Sequence, residues 1–147
     1  MRHTAFSALV AIAISISAPL SVSAKELKPE TPLAEQMETI SKNLKKLGKQ
    51  IGDGSQRDSS LQLLDKIQNA VKRARTFTPA KAEKIPEAER PQFVADFQKK
   101  LDELLVQFEK ISGALRDGNT DEAQTLFAGL KQIKRDGHEK FTVEEED

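Results

Sequence analysis

From residue 31 onward, apolar positions recur in alternating steps of three and four. Leu33, Met37, Ile40, Leu44, Leu47 and Ile51 follow this rhythm, which keeps them on one face of a bundle helix. Thr31-Pro32 supplies a cap followed by proline at the first helical position, and Gly52-Asp53-Gly54-Ser55 ends the run. A second helix is predicted from about Asp58 to Phe77. Leu64, Ile67, Val71 and Ala74 keep its rhythm, and Leu61 and Leu63 widen the stripe. A third begins near Pro91 and carries Val94, Phe97, Leu101, Leu104, Phe108, Ile111 and Leu115. Asp117-Gly118-Asn119 breaks the chain. Asn119 with Glu122 then forms a capping-box pattern for a fourth helix, whose apolar side is Ala123, Phe127, Leu130, Ile133 and Phe141. No stretch alternates with the period of a strand. The pattern predicts an all-α fold, an antiparallel up-down-up-down four-helix bundle.

Connection lengths support that order. The first and third connections span about six and three residues, which forces antiparallel neighbours. The middle connection, residues 78–90, carries Pro79 and Pro86 and could reach about 43 Å fully extended. The third helix is about 39 Å long, so a crossover would pull that connection almost straight.

The segment before residue 31 reads differently. Arg2 precedes an apolar run from Ala5 to about Val22, and Val22-Ser23-Ala24 is a small-x-small cleavage site. Residues 1–24 are therefore expected to be a secretory signal peptide cleaved after about Ala24, leaving residues 25–147 as one domain without a membrane span. The run is short and interrupted by Pro19 and serines, unlike a stable anchor. The whole chain has 23 basic and 23 acidic residues; losing Arg2 leaves a slight acidic excess. Such a balance gives no footprint for nucleic acid. There is no cysteine, which removes disulfides, zinc-thiolate and iron–sulfur sites and the Cys-x-x-Cys-His attachment of c-type haem. The absence of Trp and Tyr argues against an aromatic platform for bases or sugars.

Two residues stand out once the signal is set aside: the remaining chain holds one methionine, Met37, and one histidine, His138. In an up-down-up-down bundle the start of the first helix lies beside the end of the fourth. Met37 sits about 7.5 Å into the first helix and His138 about 6 Å from the end of the fourth, so the two fall at nearly the same height. Met37 is in the middle of its stripe, whereas His138 lies about 70–80° from the centre of its own. Each has an ordinary explanation alone, core filler for the methionine and a partly exposed side chain for the histidine. Together they are a thioether and an imidazole, a standard axial pair for low-spin haem iron. Two such donors without carboxylates make a poor zinc or di-iron site.

Several segments resemble the cytochrome b562 family of small haem proteins over essentially the whole of residues 25–147. "QMETISKNLKKL" resembles the family's first helix, with Met37 at the methionine ligand. "EAQTLFAGLKQIKRDGHEKF" resembles its last helix, with His138 at the histidine ligand. "RTFTPAKAEKIPE" resembles its second loop, and "DFQKKLDELL" the start of its third helix. The resemblance implies one non-covalently bound haem b per chain, with Met37 and His138 as axial ligands to iron. Ile40, Phe97 and Leu101 would wall the pocket, and Lys134 would face a propionate. Where the family has a large residue before the histidine, an arginine one turn earlier and an aromatic on the third helix, this chain has Gly137, Lys134 and Leu101.

The implied role is electron transfer in the periplasm, by a monomer that is not an enzyme and exchanges electrons with partner proteins the sequence does not identify. The competing reading is a haem-free helical bundle that serves as a periplasmic binding or stress module.

Overall fold

The computed structural model describes residues 31–142. The proposed signal peptide and the acidic tail beyond Thr142 lie outside the described residues. Four helices carry the fold: α1 (Pro32–Gln50), α2 (Arg57–Ala74), α3 (Arg90–Arg116) and α4 (Thr120–Phe141). Short 3-10 turns occupy Gly54–Gln56 and Ala80–Lys84, and there is no strand among the described residues.

The helix ends obey local chemistry. The Thr31 hydroxyl accepts from the Ala34 N–H at 3.1 Å, with Pro32 at the first helical position, so an orphan donor of the first turn is satisfied. Between α3 and α4, Gly118 adopts φ +75°, a conformation glycine enters without steric cost. The Gly118 N–H donates to the Leu115 carbonyl and the Asn119 N–H to the Ala114 carbonyl, which together form a Schellman stop. Asn119 then starts the next helix. Its Oδ1 accepts from the Glu122 N–H at 3.2 Å, and its Nδ2 donates to the Glu122 carboxylate at 2.8 Å. One residue thus closes α3 and opens α4.

The second helix stops earlier than its apolar rhythm suggests, at Ala74 rather than Phe77. Pro79 disfavours helical geometry at Thr78, and the chain unwinds ahead of it: Thr76 and Phe77 donate to the carbonyls of Arg73 and Ala74. The connection that follows is ordered rather than stretched. Ala82 is fully buried, and the Arg90 guanidinium donates to the carbonyls of Ala82 and Ile85 at 2.9 and 3.2 Å.

Contacts fix the helix directions. Between α2 and α3, Gln68 meets Ser112 and Arg75 meets Asp102. Between α3 and α4, Gln107 donates to the Leu126 carbonyl and Asp96 pairs with Lys140. Numbers rise on one helix as they fall on the other, so both pairs are antiparallel. Packing is uneven along the bundle axis. Leu47, Leu64, Ile67, Phe108, Ile111 and Leu115 are essentially inaccessible and lie toward the α1–α2 and α3–α4 turns or at midspan. Toward the other end smaller residues enter the core, with Ala70, Val71 and Ala74 beside Ile40, Phe97, Leu101 and Phe141, flanked by half-buried Leu33, Met37 and Phe93.

It is uneven around the axis as well. α1 packs closely on α2, and α3 on α4; α2 and α3 join these two hairpins. Among the described residues, the α1 and α4 backbones hardly approach. The bundle resembles a book with α2–α3 as its spine and α1–α4 as its opening edge.

Two consequences can be measured. Replacing Gly118 with alanine should destabilise the fold by about 1–2 kcal/mol, the cost of a left-handed conformation in an L-residue, read as a lowered denaturation midpoint. Asp96 accepts from Lys140 at 2.7 Å and from Gln92, and the Lys140 bond first, then the Gln92 bond, hold its carboxyl below the ordinary value of 3.8. A depressed carboxylate stabilises fully above that ordinary value and loses its effect as pH falls through the lower folded value. Asp96→Asn should therefore increase amide exchange in the last turn of α4 near neutral pH, and the difference from the parent should disappear in strong acid.

Candidate functional site

Toward the short turns the opening edge of the bundle is bridged by side chains of α4. A Cβ built on Gly48 would lie 3.1 Å from both Cε1 and Cζ of Phe127, so the ring of α4 rests directly on the bare backbone of α1. Just beyond, the Gln124 side chain occupies the space in front of Gly52. α1 and α4 therefore run antiparallel, with Gly48 level with Phe127.

This register carries to the two candidate ligands. Met37 lies eleven residues before Gly48, and His138 lies eleven residues after Phe127. Eleven residues advance each helix by about 16.5 Å, through three turns plus about 20°. Met37 thus projects from the same side of α1 as Gly48, and His138 from the same side of α4 as Phe127. The two come to one level, facing the same seam from opposite helices. Between them α4 presents Lys131 and Lys134, both exposed, and α1 presents Ser41 and half-buried Leu44.

The donors differ in burial. Met37 is half-buried and packs against the core, while His138 is exposed, its side chain with no hydrogen-bond or ion-pair partner among the described residues. The position of His138 is nevertheless tied down through its neighbours. Phe141, one turn later, is 8% exposed and makes edge contacts with Phe93 and Phe97 at ring-centroid distances of 5.3 and 5.4 Å. Lys140 pairs with Asp96, and the Glu139 carbonyl accepts from Lys81 at 3.3 Å. The last turn of α4 is therefore anchored to α3 and to the loop before it, with the imidazole left free.

Ile40, Phe97 and Leu101 are 7%, 4% and 3% exposed and belong to one apolar cluster with Phe141, beneath half-buried Met37. Lys134 is exposed, one turn before His138. Gly137 does not face the seam: a Cβ there would meet only the Lys100 side chain of α3, at 3.7 Å. The missing side chain opens space beside α3 and takes no wall from the α1–α4 gap. The heptad reading counted Phe127 only as stripe and did not single out Gly48. The signal that pairs them is the shared eleven-residue offset from the two unusual residues.

The arrangement suits one class of metal group. Among the described residues, no three His, Cys, Asp or Glu side chains converge as metal ligands, and a bare metal ion needs about that many. A haem iron takes four ligands from its macrocycle and needs only two from protein, and a thioether with an imidazole is an established pair for it. One such donor on each side of an open seam, an apolar floor and lysines at the rim fit a planar, largely apolar group with acidic edges.

No curated protein matches the chain at a significant level. The cytochrome b562 family profile matches residues 32–142, from the first residue of α1 to the cap of α4, which spans all four helices and both candidate ligands. The family consists of haem-binding electron-transfer four-helix bundles. With that match over most of its length, the chain belongs to the cytochrome b562 family.

Proposed function

We propose that this protein is a periplasmic electron carrier, not an enzyme, that binds one haem b non-covalently with Met37 and His138 as axial ligands. The observation that carries this reading is the common register of Met37 and His138 across the one open seam of a bundle whose other seams are packed. The bound iron would supply a one-electron couple. The protein's part is to hold both donors in place, so that little needs to rearrange when the charge changes. Met37 comes from the α1–α2 hairpin and His138 from the α3–α4 hairpin. A thioether ligand raises the reduction potential. Ile40, Phe97 and Leu101 keep water from the buried side of the site. Lys134 sets a positive charge at the exposed rim, as a point charge rather than a planar fork. No helix among the described residues is long and apolar enough to cross a membrane, and the sequence preceding α1 has the features of an export signal. We take the carrier to be a monomer whose redox partners are other periplasmic proteins.

The deciding experiment replaces the two ligands. Met37→Leu conserves volume and should cost under about 1.5 kcal/mol of stability. It should convert the ferrous protein at least partly to high spin, admit carbon monoxide and lower the potential. His138→Ala should loosen haem itself. Circular dichroism establishes that each variant stays folded. A Met37→Leu protein that remains low-spin and inert to carbon monoxide rules out the ligand assignment.

The haem-free alternative predicts a colourless protein whose melting temperature ignores added haem. Under the carrier reading, haem at 100 times its dissociation constant should add about 2.7 kcal/mol.

The rim charge has its own test. Lys134→Glu should weaken haem binding and lower the potential, whereas Lys110→Glu, on exposed α3 surface far from the seam, should do neither. Both effects should shrink with added salt, since exposed charges are screened over about 10 Å at 0.1 M.

A further inference from the structure

The ligand pair requires a seam of definite width, and something must set it. Helices in contact stand about 8–10 Å apart, according to the side chains between them. Along α1–α4 the residues facing the seam are Ser41, half-buried Leu44 and Gly48 on α1, and half-buried Phe127 with exposed Lys131 and Lys134 on α4. The Phe127 ring reaches the α1 backbone at the position where α1 has no side chain. Gly48 matters beside the ring, because a Cβ there would lie 3.1 Å from two ring atoms and push the ring back by a few tenths of an ångström.

Leverage makes the position important. The spine of the book is α2–α3, on the far side of the bundle from the opening edge. A block placed in that edge fixes how far the two hairpins can close. Each hairpin is tightly packed within itself, so a change of spacing at Phe127 moves α1 and α4 as units. It is therefore transmitted about 16.5 Å along both helices to Met37 and His138.

We propose that Phe127, seated on Gly48, is the positioning residue that sets the width of the α1–α4 seam and with it the spacing of the ligand pair. This rests on the haem reading for its purpose but not for its geometry, so the two can fail separately. The chain has no cysteine, so spin labels can be placed on single cysteines substituted for the exposed residues Glu35 and Glu139, and the interlabel distance measured in haem-free protein. Phe127→Ala should shorten and broaden the distance distribution by about 2 Å, the range over which contacting side chains tune helix separation. Gly48→Val should lengthen it. Combining the two substitutions moves the bulk from α4 to α1 and should restore a distribution near that of the parent. Phe127→Leu, which keeps most of the apolar contact, should fall between parent and Phe127→Ala, and serves if the alanine variant does not fold. With haem added, Phe127→Ala should lose roughly tenfold in affinity, the lower end of the effect of groups that orient metal ligands, and should show a reduced low-spin fraction that the double variant recovers. An unchanged distance distribution in folded Phe127→Ala, or in folded Phe127→Leu and Gly48→Val, overturns the spacer. So does a changed distance with no change in affinity or spin state. A parent protein that binds no haem overturns the carrier reading instead, while the distances still decide the spacer.

Discussion

The bundle is closed by its short turns, and the open end follows from that. The connections at Ile51–Gln56 and Asp117–Asn119 bring all four helices together at one end, where the essentially inaccessible Leu47, Leu64, Phe108, Ile111 and Leu115 pack. Each large apolar side chain buried in this way contributes roughly 1.5–3 kcal/mol. The other end has the long loop before α3, the start of α1 and the finish of α4, and smaller residues, Ala70, Val71 and Ala74, share its core with Ile40, Phe97, Leu101 and Phe141. The candidate site lies at this end, away from the short turns. The turn end can hold the fold while the far end leaves Met37 half-buried and His138 exposed.

Much of this was legible in the sequence, for identifiable reasons. Heptad spacing reports which residues share a face, so the four helices and most of the core could be read from it. Caps are local, so Thr31, Gly118 and Asn119 could also be read. The matching heights of Met37 and His138 required only helix rise and a topology forced by short connections. Other features depend on what stands across a gap, which periodicity does not encode. The stripe rhythm carried the second helix to Phe77, but the proline that follows ends it at Ala74. His138 was placed at the flank of its stripe; its exposure depends on how far α1 stands off. Gly137 directly precedes His138 in sequence, yet one residue is 100° of helix, and that rotation turns it toward α3 and Lys100. The Phe127–Gly48 contact was hidden for the same reason, since neither residue is unusual until the two helices are set side by side.

The surroundings of His138 show how an exposed residue can still be held in position. Its side chain has no partner among the described residues, but the backbone of its turn is fixed by Phe141 against Phe93 and Phe97, by Lys140 on Asp96 and by Lys81 on the Glu139 carbonyl. The ion pair is exposed and contributes modestly. The aromatic contacts are shielded and contribute more. The result is a donor whose position is set from below and whose outer face is available. Met37 has the opposite arrangement, with its side chain laid into the apolar cluster.

That asymmetry bears on what a bound group would do to the fold. Met37 belongs to the α1–α2 hairpin and His138 to the α3–α4 hairpin, and the two hairpins are joined tightly only along the α2–α3 spine. A group ligated by both residues would cross-link the hairpins at the edge opposite the spine, where the protein's own side chains provide least. Its binding energy would then act on the least constrained motion of the bundle, the opening of the book. Such a link can form only when both hairpins are folded and in register, so it favours the native state over every partly opened one. The loose α1–α4 edge suits the same arrangement: side chains that closed the seam themselves would compete with such a group for the space between Met37 and His138.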